Sequence, residues 1–65
     1  MPKERVEEIK YAIVQSDILS EEDKSQSMRH LEEWVAEDKA FGIVYNELLE
    51  VSEVFKEIFK DLGLA

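Results

Sequence analysis

The sequence is poor in the residues that cross-link or restrict a chain. Its 65 residues include no cysteine, one proline and two glycines. Disulfides and thiolate metal sites are therefore excluded. A single core in a chain this short rarely contributes more than about 3–5 kcal/mol of stability. Because this chain has no disulfide to add to that stability, association with another chain would be an alternative source of it. The sparse breaks, at Pro2, Gly42 and Gly63, predict long helices joined by short loops.

Basic residues are the second shortage. Eight Lys and Arg face sixteen Asp and Glu, which gives a formal net charge of −8. Binding to nucleic-acid phosphates requires clustered Lys and Arg, and anionic membrane surfaces attract the same residues. We therefore expect no direct binding to nucleic acid or to membranes. A charge of this size keeps a small protein in solution, and it would attract a basic protein partner.

Long apolar segments are also lacking. The longest uncharged stretch begins at Ala40 and ends before Glu47, whereas a membrane-spanning helix needs about 20 residues. The N-terminal sequence MPKERVEEIKYAIV does not contain the uncharged apolar region of a signal peptide. These features predict a cytoplasmic protein with a single helical domain, residues 1–65.

The apolar residues recur at helical spacing and predict an all-α, three-helix bundle. The predicted helices span residues 3–17, 21–41 and 44–62. Ser20 precedes three acidic residues, which is typical of a helix N-cap. The third helix has the most regular pattern, a heptad-like series at spacings of four and three: Val44, Leu48, Val51, Phe55, Ile58 and Leu62.

The ends of these helices carry further signals. Gly63 follows the last apolar position, where a left-handed cap commonly closes a helix. Ile18 and Leu19 lie in the first loop, and we expect both to pack against the core.

Gly42 decides between two architectures. A break there, with Asn46 as a possible cap of the next helix, yields a self-sufficient bundle. Alternatively one helix runs from 21 to 62, since an internal glycine costs only about 1 kcal/mol, and the resulting hairpin would have to dimerise. A seven-residue spacing that crosses Gly42 in phase supports this alternative: Trp34, Phe41, Leu48, Phe55 and Leu62. We favour the break, because glycine is the preferred residue just past a helix end.

The sequence offers little for catalysis or for cofactor binding. His30 is the single histidine, and zinc requires three or four ligands. The acidic runs lie on predicted helix surfaces, whereas acid–base catalysis needs carboxyl groups in different environments at a cleft. We therefore predict no enzyme activity, no metal site, no cofactor and no small-molecule substrate.

What is left is a role in protein interaction. Aromatic side chains at helical spacing are core residues first, but those that are exposed together mark a binding patch. The candidates are Trp34, Phe41, Tyr45, Phe55 and Phe59. We predict a non-enzymatic module that binds a protein partner or itself as a homo-oligomer. The alternative is an acidic inhibitor that occupies the basic, nucleic-acid-binding surface of a partner.

Overall fold

The computed structural model describes residues 2–64 and confirms a small all-α bundle. A short 3₁₀ turn, Pro2–Arg5, leads into four α-helices within these residues. The helices are α1 (Val6–Gln15), α2 (Glu21–Glu37), α3 (Phe41–Val51) and α4 (Val54–Asp61). The main differences from the predicted limits lie at the end of α1, at the end of α2, at the start of α3 and at Ser52.

The first helix is shorter than the predicted span of 3–17. It ends at Gln15 because Ser16 adopts an extended backbone, with φ −67° and ψ 132°. The Ser16 hydroxyl accepts hydrogen bonds from the backbone N–H groups of Ile18 and Leu19, both at 3.2 Å. Such side-chain bonds to nearby backbone compete with helix continuation, and here they turn the chain towards α2.

The second helix begins as predicted and ends earlier than predicted. The Ser20 hydroxyl caps α2 by accepting from the Asp23 N–H at 3.0 Å. The helix stops at Glu37, not at residue 41, because Asp38 is left-handed, with φ 56° and ψ 42°. The N–H groups of Asp38 and Lys39 both bond to the Trp34 carbonyl, which satisfies an orphan carbonyl of the last turn.

The expected break between the second and third helices is confirmed, but it lies at residues 38–40, and its placement at Gly42 is wrong. Gly42 lies in the first turn of α3, which begins three residues before the predicted start, and Asn46 lies within that helix rather than at its cap. The continuous helix 21–62 is likewise wrong. It would measure about 60 Å at 1.5 Å per residue, whereas the longest dimension of the molecule is 28 Å.

The predicted helix 44–62 is interrupted at Ser52. This residue is extended, with φ −161° and ψ 137°, and its hydroxyl accepts from the Val54 N–H at 3.2 Å. The chain bends there and α4 returns towards α1. The heptad-like spacing survives the bend, because Leu48 and Phe55 on either side of it are both fully buried.

The end of α4 is closed as predicted. Gly63 has a φ of 75° and donates to the Lys60 carbonyl at 3.0 Å, while Leu64 donates to the Phe59 carbonyl at 2.8 Å. These two bonds form a Schellman motif. Leu64 packs against the core, which supplies the apolar contact that usually accompanies this cap.

The core joins all four helices around Trp34. Its buried members are Ile9, Ile13, Leu19, Leu31, Trp34, Val44, Leu48, Phe55 and Phe59. Phe41 bridges α2 and α4, with ring centroids 5.6 Å from Trp34 and 5.5 Å from Phe59. Tilted and edge-on ring pairs at such distances contribute about 0.5–1.5 kcal/mol each beyond their buried area.

Two cations from neighbouring segments cover the carbonyl ends of helices. Lys24 of α2 donates to the Val14 carbonyl of α1 at 3.1 Å. Arg5 donates to the Leu62 carbonyl at the end of α4 at 2.7 Å. Both charges complement the negative end of a helix dipole, and the Arg5 bond holds the start of the chain against its C-terminal helix.

Replacing the two glycines by alanine should have opposite effects on the free energy of unfolding. Gly42 is helical and exposed, and a Cβ there would meet no atom within 4 Å. We expect Gly42→Ala to raise the free energy of unfolding by about 0.4–1 kcal/mol, because it restricts the unfolded chain. Gly63→Ala should lower it by about 1–2 kcal/mol, since L-residues are strained in the left-handed region. Urea denaturation followed by circular dichroism measures both, and a destabilising Gly42→Ala would contradict the helical placement.

The Arg5–Glu8 pair should add a pH-dependent contribution to stability. Arg5 donates to both Glu8 oxygens, at 2.8 and 3.2 Å, and these hydrogen bonds hold the pKa of Glu8 below its usual range. A lowered folded-state pKa stabilises the fold above the ordinary value of about 4.3 and loses this effect as the pH falls through the lowered pKa.

Comparing wild type with Glu8→Gln isolates this contribution. We expect the difference in unfolding free energy to be small, since both side chains are partly exposed, and to shrink as the pH is lowered beneath about 4.3. Urea titrations across the acid range measure it. A difference that stays constant with pH would show that the ion pair is not its source.

Candidate interaction groove

One concave surface lies where α1 meets α4. It is a cavity of about 420 Å³, open along one side, within the range of about 300–1,000 Å³ typical of binding pockets. We call it the α1–α4 groove. Its apolar residues are Ala12, Ile18, Val54, Ile58 and Leu62, its acidic residues are Asp17, Glu57 and Asp61, and Gln15 and Ser16 complete it.

Helix periodicity explains which side chains reach the groove. Residues three and four apart share one helix face, so Val54, Ile58 and Leu62 follow one another along α4. Phe55 and Phe59, which are fully buried, occupy the adjacent face of α4. Val54, Ile58 and Leu62 are partly buried against the core, and the rest of their surface lines the groove.

Ile18 is the most exposed large apolar side chain of the groove, with 74% of its surface accessible. The predicted packing of Ile18 against the core is wrong, whereas its neighbour Leu19 is buried at 5% exposure. The turn held by the Ser16 hydroxyl sends these two side chains in different directions. An isoleucine at the edge of an apolar cavity extends the surface that a ligand could contact.

The charges of the groove are of one sign. Asp17, Glu57 and Asp61 are exposed, and none of the basic side chains that the structure describes lines the groove with them. Within residues 2–64, none of these three carboxylates forms an ion pair. The groove is thus an apolar surface bordered by uncompensated negative charge.

Arg5, which bonds to a backbone carbonyl of the groove residue Leu62, is already paired with a carboxylate. Arg5 reaches the Leu62 carbonyl from the start of the chain, but its guanidinium also binds both oxygens of Glu8. Lys56 and Lys60 belong to α4 and are exposed, yet neither lines the groove. Arg5 therefore fixes the position of α4 while its own charge is neutralised by Glu8.

The aromatic residues proposed from sequence form one connected cluster inside the molecule. Trp34, Phe55 and Phe59 have no exposed surface, so they are inaccessible to a partner in this fold. Phe41 and Tyr45 are half-buried, and their ring centroids lie 5.9 Å apart. Of the five candidates, these two alone reach the surface.

Sequence reasoning did not identify the groove residues as a site. The heptad-like series includes Ile58 and Leu62 but does not single out Val54 or assign any of them to a binding site. The spacing of residues 54, 58 and 62 was available as a signal, since it marks a second apolar stripe beside Phe55 and Phe59. What was missing was the bend at Ser52, which turns that stripe towards α1.

His30 lies in a polar cluster between α2 and α3, outside the groove. Its Nδ1 atom is 3.7 Å from the Glu33 carboxylate and 3.5 Å from that of Glu47. The Lys39 Nζ lies 3.9 Å from the Glu33 carboxylate and 3.8 Å from the Glu47 carboxylate. In the described part of the chain, no three His, Asp or Glu side chains are arranged to hold a metal ion. The cluster joins two helices through opposite charges.

Two further depressions, of about 370 and 550 Å³, lie between α1 and α2 and share Val14 and Met28. Tyr11, which lines the larger one, is 67% exposed, and Val14 is 56% exposed. Their charges are mixed and paired, because the Lys10 Nζ lies 3.8 Å from the Glu7 carboxylate and the Lys24 Nζ lies 3.9 Å from that of Glu21. These surfaces therefore lack the single sign of charge that marks the α1–α4 groove.

Comparison with known proteins adds no relative. The chain matches no model of a protein family, no curated protein and no solved structure. Among the helices of residues 2–64, none is long and apolar enough to cross a membrane. A function must therefore be argued from the groove itself.

Adjacent residues Ile18 and Leu19 should differ sharply in their contribution to stability. We expect Ile18→Ser to change the free energy of unfolding by less than about 0.5 kcal/mol, as exposed sites do. Leu19→Ala should cost about 2–5 kcal/mol, because it leaves a cavity in the core. Thermal and urea denaturation of both variants measure this. A large loss in Ile18→Ser would show that Ile18 is a core residue and is not free to contact a partner.

Proposed function

We propose that this chain is a non-enzymatic protein–protein interaction module whose α1–α4 groove receives a segment of another protein. The observation that carries the proposal is the exposed Ile18 at the edge of an apolar cavity. Large apolar side chains that are exposed beside a concave apolar surface mark interaction sites on monomeric proteins. Tyr11, Val14, Val35 and Ile43 are exposed as well, and Ile18 is distinguished from them by its place in the α1–α4 groove.

The charge distribution supports a foreign partner over self-association. A symmetric dimer brings the same surface of two copies together, which would place Asp17, Glu57 and Asp61 against their own counterparts. Like charges that face each other across an interface are unfavourable. Val44, Leu48 and Phe55 of the heptad-like series are fully buried, so this part of the series does not need a second copy to cover it. The cytoplasm stays the predicted compartment.

The alternative function, an acidic inhibitor of a nucleic-acid-binding protein, requires one continuous acidic face. Part of the negative charge is compensated within the molecule, since Lys39 lies within 4 Å of Glu33, Glu37 and Glu47. The carboxylates of the groove remain, but they border an apolar floor rather than form a charged face. This arrangement favours binding through apolar contact, with charge as an aid to recognition.

Site-specific photo-crosslinking tests the proposal. We expect Ile18→p-benzoylphenylalanine, expressed in the native cells, to crosslink one discrete protein. The control is Ile43→p-benzoylphenylalanine, because Ile43 is similarly exposed at 51% but lies on α3 outside the groove. The partner is then purified and its affinity for wild type is compared with that for Ile18→Ser.

A reduction of affinity by about tenfold or more in Ile18→Ser, which corresponds to about 1.4 kcal/mol, would support the groove as the binding site. Identical crosslinks from positions 18 and 43, or a purified partner that binds Ile18→Ser as tightly as wild type, would refute it.

A further inference from the structure

We infer that the partner segment is a short amphipathic helix that carries Lys or Arg beside its apolar face. This inference rests on the proposed function and names the chemistry of the ligand for the same groove. It follows from the form and the charge of the groove, and from the absence, among the described residues, of the features that other peptide conformations need for binding.

The form of the groove favours a helix over other peptide conformations. An extended peptide that adds a strand needs an open sheet edge, and residues 2–64 contain no strand. A polyproline segment needs a groove lined by aromatic rings, and no aromatic residue lines this one. Phosphorylated motifs require clustered arginine, whereas the charged side chains here are Asp17, Glu57 and Asp61.

A helix matches the size of the apolar floor. Val54 and Leu62 are eight residues apart on α4 and its C-cap, which corresponds to about 12 Å at 1.5 Å per residue. About two turns of a ligand helix cover this distance. Apolar side chains at positions i, i+3, i+4 and i+7 present one face over that length, and they can rest on Ala12 and Ile58 with Ile18 at the edge.

The negative charge of the groove predicts basic residues beside the apolar face of the ligand helix. Three exposed carboxylates without cationic partners attract Lys and Arg, and charge complementarity of this kind raises association rates and selects among partners. The net charge of −8 acts in the same direction over longer distances. Because the carboxylates are exposed, salt should weaken binding, with a screening length of about 10 Å at 0.1 M.

The direct test uses labelled 14-residue peptides and fluorescence polarisation with the purified full chain. The first peptide has Leu at i, i+3, i+4 and i+7 and Lys at flanking positions. The second replaces each Lys by Glu, and the third scrambles the first so that no apolar face forms. We expect saturable binding of the first peptide alone, and an affinity that falls as the salt concentration is raised.

Protein variants locate the binding. We expect Glu57→Lys with Asp61→Lys to weaken binding by about tenfold, because each exposed attraction becomes a repulsion, and Ile18→Ser to weaken it by several fold. The matched controls are Glu32→Lys and Ile43→Ser, which alter an exposed acid and an exposed isoleucine outside the groove. These should bind within about twofold of wild type, and circular dichroism confirms that each variant is folded.

The outcomes separate this inference from the proposed function. A partner crosslinked through position 18, combined with no binding of the Lys peptide or with equal binding of the Glu peptide, would overturn the inference and leave the module proposal standing. Equal weakening by Glu32→Lys would show attraction to bulk charge and would overturn the groove as the site. A dimer seen in light scattering and abolished by Ile18→Ser would make a second copy the occupant, which also overturns the inference.

Discussion

The contact between Trp34 and Phe41 is the interaction on which the rest of the fold depends. Their ring centroids lie 5.6 Å apart across the junction of α2 and α3, and Trp34 is fully buried. The contact requires the chain to reverse within the few residues that follow Trp34. The left-handed Asp38 provides that reversal, and Phe41 then continues the aromatic packing to Phe59 on α4.

This contact also explains why α2 does not stop at Gly42. Placing a glycine inside a helix costs about 1 kcal/mol relative to alanine. Phe41 makes ring contacts with Trp34, Tyr45 and Phe59, each worth about 0.5–1.5 kcal/mol beyond area burial. Together these contacts exceed this cost, so the chain accepts an aspartate at the left-handed position and places glycine inside the next helix.

The second bend, at Ser52, creates the groove. A straight helix through residues 44–62 would keep all of its apolar residues along one face, as the heptad-like pattern suggests. The bend folds α4 back, with Phe55 and Phe59 in the core, and leaves Val54 and Ile58 facing the space beside α1. Arg5 holds this arrangement through the Leu62 carbonyl. The proposed binding site is thus a consequence of how a short helix returns to the bundle.

The sequence by itself determined the features that depend on neighbours along the chain. Ser20 caps α2 and Gly63 closes α4 because a hydroxyl and a flexible backbone act within one turn. Of the series with seven-residue spacing, Trp34, Leu48 and Phe55 are fully buried, and Phe41 and Leu62 are half-buried, because periodicity reports which face is apolar even where the helix bends. The all-α class followed from the same pattern.

The tertiary structure decided what depends on contacts between distant segments. Asp38 rather than Gly42 ends α2, since the ring contacts of Phe41 are absent from any local pattern. Serine is common within helices and at their ends, so Ser52 alone did not reveal a bend. The groove was not predictable for the same reason: α1 and α4 are far apart in the chain, and only packing brings Ala12 and Ile58 to opposite sides of one cavity.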